Sequence, residues 1–457
     1  MKARGFAMIG AKKLKVWVYE KAVGEFEQVA NGSFRFSYFK NVHPREEVSL
    51  LMPVDKGPYL FKTFPAVFGQ HIPQGVPRAT IEDAFKRIPG VKTLTEMDML
   101  SIVGRNQCGR VSFTDTDCER LIKPTQIDID KKKVESCVDG EALFKLYMGK
   151  PRKMGEHSGV AGAMAKMFGK TDYAEPDPYQ DINVGARSSH TIVYDETILK
   201  STNPLIPNMT INEKTCLDIA RHAGFTVPKY SMSKDGELLL LKRFDRQGGH
   251  MLGFEDFSSL ASYKDTPLIE AQYAGTYAGV MKAASQACKN RGCSKDDTHK
   301  LHKDLFERIV LSNFLRDNDL HLKNIGLLYS KKTVRLSPVY DVTCTDILNV
   351  YHFDMDSDMS VPWEIKSGSR AWKNHEQLVK FGVKCTSLDL SEAEESVSRI
   401  KGAVQKWCER TIKDPQNPIE LDIACAIASG VDLEMSKTDL SDKPKDFEAD
   451  SAHRLEI

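Results

Sequence analysis

Residues 13–40 alternate apolar and polar positions, as in Leu14-Lys15-Val16-Trp17-Val18-Tyr19 and Ser33-Phe34-Arg35-Phe36-Ser37-Tyr38, which is the period of half-buried strands, and Asn31-Gly32 supplies a turn. From 79 to 103 the period becomes helical. Gly104 and Gly109 then bracket a turn before a strand over 110–113. Residues 118–181 are polar, with the charge run Lys131 to Lys133 and the breaker Glu175-Pro176-Asp177-Pro178, and read as solvated loops. Strand signals return at 191–194 and 197–200, followed by a helix from about Asn212 that stops at Gly224. Strands over 225–232 and 237–244 flank Ser233-Lys234-Asp235-Gly236, whose Asp-Gly step favours a tight hairpin.

Beyond Asp245 the pattern is mostly helical. Helices are predicted over 269–289 and over 301–315, where Leu301, Leu305, Ile309 and Leu315 share one face. A later helix begins at Ser391-Glu392-Ala393-Glu394, a capping-box signature, and presents Val397, Ile400, Val404, Trp407 and Cys408 to a core. The pattern predicts an α+β protein with a strand-rich first half and a helix-rich second half, divided near 244. The expected organisation is a β-rich subdomain over 1–120, a second strand-rich unit over 121–244, a helical unit over 245–435, and a tail over 436–457 too poor in large apolar residues to fold.

Composition narrows the function class. The chain of 457 residues carries 64 Lys plus Arg against 63 Asp plus Glu, a formal net charge of +1, which argues against bulk electrostatic binding to nucleic acid or anionic lipid. No stretch approaches a membrane-spanning apolar run. The short apolar segment 6–11 after Lys2 and Arg4 is too little for a signal peptide, so a cytoplasmic location is expected. The ten cysteines form no CxxC pair. Cys288, Cys293, His299 and His302 are spaced C-x4-C-x5-H-x2-H, with a middle gap far short of the roughly 12–15 residues of a zinc finger.

The densest chemistry lies at a helix-to-strand junction, Arg316-Asp317-Asn318-Asp319-Leu320-His321-Leu322-Lys323-Asn324. A strand over 325–329, a turn at Ser330-Lys331-Lys332 and a returning strand over 333–340 should bring Asp341 back beside Asn324 and Asp319. Two carboxylates and an amide then offer hard oxygen ligands suited to Mg²⁺. In protein kinases the base and a metal-binding Asn share one loop as D-x4-N, and a second metal-binding Asp follows a short hairpin. Asp319, Asn324 and Asp341 have that order. Upstream, Lys200 ends a strand and Glu213 opens the next helix, as a phosphate-binding Lys and its helix-borne Glu do. The small-residue stretch from Gly155 to Lys166 could bring backbone amides to phosphate. Gly162 through Gly169-Lys170-Thr171 fails as a Walker A loop, because its gap is six residues where four are needed.

These segments resemble the HipA family of toxin serine/threonine kinases over roughly residues 14–410. Leu100-Ser101-Ile102-Val103-Gly104-Arg105-Asn106-Gln107-Cys108-Gly109 resembles the family's L-S-x-I-G-R-D-x-x-G segment, and Ala161-Gly162-Ala163 with Lys166 resembles its A-G-A-Q-x-K loop. Lys242-Arg243-Phe244-Asp245-Arg246 is similar to the E-R-F-D-R hinge. Asn318 to Asn324 is similar to the T-D-G-H-A-K-N catalytic loop, and Leu336-Ser337-Pro338-Val339-Tyr340-Asp341 to the L-x-P-x-Y-D metal segment.

The resemblance implies a two-lobed protein-kinase-like fold, with an extra β-rich N-terminal subdomain and a helical C-terminal lobe. It implies ATP and Mg²⁺ as cofactors, Asp319 as catalytic base, and Asn324 and Asp341 as metal ligands. Ala161, Gly162, Ala163, Lys200, Lys242, Phe244, His321, Asn324, Tyr340 and Asp341 would form the nucleotide site, with Glu213 in support. The phosphorylatable Ser of self-inactivating members is replaced in Gly159-Val160, which leaves Ser158, one position earlier, as the candidate for autophosphorylation. The loop's usual Gln is Met164 and the hinge Glu is Lys242. The implied partners are a protein substrate, by family analogy an aminoacyl-tRNA synthetase, and a helix-turn-helix antitoxin through which any DNA contact would pass, with no membrane. Two alternatives stand beside this reading. One is a catalytically weak kinase-fold module that binds antitoxin and nucleotide. The other is a metal-dependent hydrolase using Asp319, Asp341 and His321.

Overall fold

The computed structural model describes residues 10–86, 91, 93–121, 126–148, 164–172, 194–202, 206, 208–247, 250–262, 265–330, 333–350 and 358–433. The alternating N-terminal pattern forms an antiparallel sheet of β1 (Lys13–Val18), β2 (Lys21–Gln28), β3 (Phe34–Tyr38), β4 (Tyr59–Phe61) and β5 (Val111–Asp115), in the order β4-β3-β2-β1-β5. Its inward side chains, among them Phe26, Phe36 and Phe113, share a core with residues of α1 (Ala66–Gly69), α2 (Gly75–Lys86) and α3 (Glu96–Val103). The helical period read over 79–103 thus belongs to two helices. Thr95 starts the second, its hydroxyl accepting from Asp98 N at 3.1 Å while Asp98 accepts from Thr95 N at 2.9 Å.

The second sheet consists of β6 (Ile127–Asp128), β7 (Ala165–Asp172), β8 (Tyr194–Ser201), β9 (Tyr230–Met232) and β10 (Leu238–Lys242), in the order β6-β7-β8-β10-β9. Here the expectation of solvated loops over 118–181 is corrected. Described residues of that stretch form β6, β7, α4 (Lys131–Ser136) and α5 (Gly140–Met148). The charge run is the wet face of a short helix capped by Asp130, whose carboxylate accepts from Lys133 N at 3.1 Å. Val134, Leu143, Phe144 and Tyr147 instead turn inward onto Met167, Leu199, Leu238 and Leu240. Gly169, Lys170 and Thr171 sit within β7. α6 (Met209–His222) follows β8 and ends, as its Gly224 predicts, where that residue takes φ +88°.

The helical half opens with the small ladder of β11 (Arg246–Gln247) and β12 (His250–Met251), then the sheet of β13 (Gly253–Asp256), β14 (Gly326–Tyr329) and β15 (Val334–Leu336). Around it stand α7 (Phe257–Ala261), α8 (Tyr277–Arg291), α9 (Lys295–Leu315), α10 (Asp346–Val350), α11 (His375–Cys385), α12 (Leu390–Lys413) and α13 (Pro418–Ala428). The helix read over 269–289 begins only at its cap Thr276, which accepts from Gly279 N at 3.0 Å. The capping box of α12 lies two residues earlier than the sequence suggested. Asp389 is the cap and exchanges 2.9 Å bonds with Glu392, while Val397, Ile400, Val404, Trp407 and Cys408 are buried as expected. The whole is a two-lobed, kinase-like α+β fold with an additional β-rich subdomain. Among the described residues no helix is long and apolar enough to cross a membrane.

Buried ion pairs tie the N-terminal subdomain to both lobes. Asp245 accepts from Gly109 N at 2.6 Å and from Arg243 and Arg246, each at 2.7 Å, and Arg243 also donates to Gln107 O at 2.8 Å. Gly109 is required there: its φ is +75°, and a Cβ would lie 3.0 Å from Phe254 N. Arg110 and Arg291 converge on Glu47, and Glu255 accepts from Leu50 N at 2.7 Å. Burial alone would raise the Asp245 carboxyl, but the two guanidiniums outweigh it and hold it well below the ordinary carboxylate range. Asp245→Ala would leave the largely buried Arg243 and Arg246 with only the partly exposed Glu196 carboxylate to share. The expected loss is about 3–5 kcal/mol, read as a lower urea midpoint; a loss of less than about 1 kcal/mol would show that the pair does not hold the subdomain.

Candidate active site

α9 ends at Arg316, whose left-handed φ of 56° turns the chain into the polar loop. Asp317 anchors that loop from within: it is fully buried, accepts from Ser312 Oγ at 2.6 Å and faces Arg308 at 3.6 Å, and burial pushes its carboxyl up to about 6. Asn318 N donates to Thr345 Oγ1 at 2.9 Å. The loop then closes on itself. Asn324 Nδ2 donates to Asp319 O at 2.9 Å and to Asp319 Oδ2 at 3.1 Å, and Tyr340 Oη donates to Lys323 O at 2.7 Å. The β14–β15 hairpin returns Asp341 to this loop, as the sequence predicted.

Asp341 has φ 45°, a left-handed conformation that costs a non-glycine residue about 1–2 kcal/mol. Its carboxylate is gripped by two ammoniums. Lys166 Nζ lies 2.9 Å from Oδ1 and 2.8 Å from Oδ2, and Lys200 Nζ also donates to Oδ1. Lys200 in turn bonds both oxygens of Glu213, at 2.5 and 2.6 Å, and Glu213 is fully buried. Burial works against the charged form of Asp341, yet the two lysines prevail and hold it well below the usual range. α6 is locked to the segment after Asp341: Asn212 Nδ2 donates to Cys344 O and Cys344 N donates to Asn212 Oδ1, both at 2.9 Å.

Two hollows meet at this carboxylate. One is a cleft with apolar walls from Ile198, Leu241, Phe244, Phe254 and Tyr340, and Lys200, Lys166, Asn324 and Asp341 at its polar end. The Phe244 and Tyr340 rings lie 5.3 Å apart. Lys242, half-buried at the end of β10, and His321 also line it. An adjoining open groove contains Asp319, and Lys166, His321, Asn324 and Asp341 belong to both hollows. Burial in the site and the facing Asp341 raise the Asp319 carboxyl to about 7. Half of that side chain is open to water, so solvent screens part of the push. His321 is driven down to about 4 by burial and stays neutral at ordinary pH.

The sequence-predicted residues Asp319, Asn324, Asp341, Lys200, Glu213, Lys242, Phe244, His321 and Tyr340 are therefore gathered around one place. Ala161, Gly162, Ala163 and Ser158 lie outside the described residues. Asp341 and Asn324 Oδ1 offer a carboxylate and an amide oxygen, the hard donor set that suits Mg²⁺. Sequence reasoning gave no role to Lys166 and missed Gln70, His71 and Cys108, which the N-terminal subdomain contributes to the cleft wall. Ile198 was detectable, because it lies two residues before Lys200 on the same strand face.

Lys323 is 6 % exposed, and among the described residues its ammonium has no hydrogen-bond partner. Burial lowers its pKa, opposed by Asp256. Lys323→Met should raise stability by on the order of 1 kcal/mol, since it removes an unsatisfied buried charge. A fall in melting temperature would refute this.

Comparison with known proteins agrees with the fold. A family model described as the HipA-like C-terminal domain matches residues 158–408, and one described as the HipA N-terminal domain matches residues 14–114. The Sinorhizobium fredii protein Y4dM, which its name places provisionally among kinases, is 26% identical over 152 residues, 29% of this chain and 34% of Y4dM. The match spans about a third of that relative's length. A solved structure of the Shewanella oneidensis MR-1 toxin–antitoxin system HipA, HipB and its operator DNA superposes with a TM-score of 0.56 at 15% identity, covering 92% of this chain and 95% of that chain.

Proposed function

Because the chain belongs to the HipA family, whose C-terminal domain model spans more than half of it, we propose that it is an ATP- and Mg²⁺-dependent serine/threonine protein kinase acting as the toxin of a toxin–antitoxin pair in the cytoplasm. One observation carries the reading: an apolar-walled cleft and an open groove meet at Asp341, Asn324 and Lys166, with Lys200 on the cleft side and Asp319 on the groove side. Donor and acceptor would approach from the two hollows and meet at one carboxylate.

In this reading adenine lies between the aliphatic wall of Ile198 and Leu241 and the rings of Phe244 and Tyr340, beside the backbone near Lys242. Lys200, oriented by Glu213, binds phosphate oxygens. A cation held by Asp341 and Asn324 would neutralise charge on the transferring group. Asp319, fixed by Asn324, accepts the proton of a serine or threonine hydroxyl presented from the groove, and its raised pKa suits a base working near neutrality. His321 stays neutral beside it at 3.7 Å. The partner is expected to be a helix-turn-helix antitoxin resembling HipB, with DNA reached only through it, and the substrate a cytoplasmic protein such as an aminoacyl-tRNA synthetase. Loop autophosphorylation, if the chain performs it, falls to Ser158.

Asp319→Ala should cut phosphate transfer from γ-labelled ATP to proteins of a cell extract by roughly 10²- to 10⁴-fold. An unchanged rate would remove Asp319 from the chemistry. ATP-dependent stabilisation of the wild type without transfer to a demonstrated target would favour a catalytically weak binding module. The base must be unprotonated to work, so kcat/KM should fall toward acid pH, with a midpoint above the ordinary carboxylate range and no higher than about 7, since solvent screens part of the shift. A flat profile would contradict the role.

A further inference from the structure

The connection between α7 and α8 runs along the open groove and is pinned at both ends. Lys62 N donates to Asp265 Oδ1 at 2.9 Å. Leu268 packs onto the core of the N-terminal subdomain, where Gly69 leaves room for it, since a Cβ at Gly69 would collide with the Leu268 side chain. At the other end Leu322 N donates to Gln272 O at 2.9 Å, and the Tyr273 ring meets the His321 ring edge-on at 5.6 Å. Between these anchors the backbone is coiled, with Ala271 N donating to Pro267 O at 3.0 Å and Tyr273 N to Glu270 O at 2.9 Å. Coiling of this kind sets residues four apart on one side. Ile269 and Tyr273 share that side and are 77% and 50% exposed, whereas Ala271 is buried and Leu268 half-buried.

A single exposed isoleucine needs no explanation. Here two large apolar groups on an anchored backbone line the same groove as Asp319. His321 lies 3.7 Å from Asp319 and touches Tyr273, so the apolar pair stands within roughly three extended residues of the base. The N-terminal subdomain adds Arg78 and Glu96 to the groove. Arg78 is matched by Glu82 at 2.8 Å and Glu96 at 3.6 Å, which leaves one carboxylate in excess and disfavours an acidic occupant. We propose that Ile269 and Tyr273 form the pocket that selects the acceptor. The occupant is an extended protein segment carrying a large apolar side chain within about three residues of the phosphorylated serine or threonine. This rests on the kinase reading above and adds the substrate feature that the groove recognises.

The test is a positional-scanning library of peptides around one fixed serine, followed by steady-state kinetics on the preferred peptide for the wild type, Ile269→Asp and Ile269→Leu. The wild type should favour Leu, Ile, Met or Phe over Asp or Glu by at least about tenfold at one position near the serine. Ile269→Asp should raise KM for the preferred peptide about tenfold with little change in kcat, and should turn the preference at that position toward Lys or Arg. Ile269→Leu should keep the wild-type selection. A changed preference is a gain that loss of structure could not produce. Labelling of peptides without an apolar preference, or an Ile269→Asp enzyme with unchanged KM and selection, would refute the pocket while the kinase reading stands. Labelling of proteins in a cell extract but of no peptide would refute it in the same way. A wild type that labels neither would overturn the kinase reading and the pocket together.

Discussion

Everything at the meeting point of the lobes depends on the neutralisation of one carboxylate by two buried ammoniums. Asp341 sits in a backbone conformation that costs a non-glycine residue energy, and the buried Lys166 and Lys200 side chains both bond its carboxylate. Each group makes the others tolerable. The cluster also joins parts distant in sequence: β7 and β8 supply the lysines, α6 supplies Glu213, and the β14–β15 hairpin delivers the carboxylate. A polyphosphate is the kind of ligand that can exchange with Asp341 for such a lysine pair, and a hard cation is the kind that can replace the lysines on Asp341.

Around that cluster the fold uses buried charge to position walls. Glu47 gathers Arg110 and Arg291, and Asp245 gathers Arg243 and Arg246 with the Gly109 amide, so the N-terminal subdomain is seated against both lobes through directional contacts. Its seating brings Gln70, His71 and Cys108 to the cleft. Apolar packing alone would allow small slips at this junction. Hydrogen bonds from Gly109 N to Asp245, from Arg243 to Gln107 O and from Arg291 to Glu47 fix its geometry.

Much of the site was legible because its chemistry is local. Asp319 and Asn324 are held by bonds within one loop, and the hairpin that returns Asp341 is short enough to be read from apolar runs on either side of Ser330. The order of Lys200 before Glu213 was likewise readable. Lys166 could not be assigned a partner from sequence, because its place opposite Lys200 is set by a strand register across a long separation. Residues 131–148 were misread because their helices are short and mostly wet, with inward residues spaced too sparsely to dominate a polar composition. The cap of α12 was displaced because Asp389 and Ser391 are both good capping residues, and the one followed three positions later by Glu392 forms the reciprocal pair.

The central claim is that Asp341 is where nucleotide and cation are brought together. Calorimetric titration of ATP into the wild type and Asp341→Asn, each with and without Mg²⁺, addresses it directly. Mg²⁺ should strengthen ATP binding to the wild type and leave binding to Asp341→Asn nearly unchanged, with the variant still binding metal-free ATP through its lysines. An undiminished Mg²⁺ effect in Asp341→Asn, or no ATP binding by the folded wild type, would contradict the account.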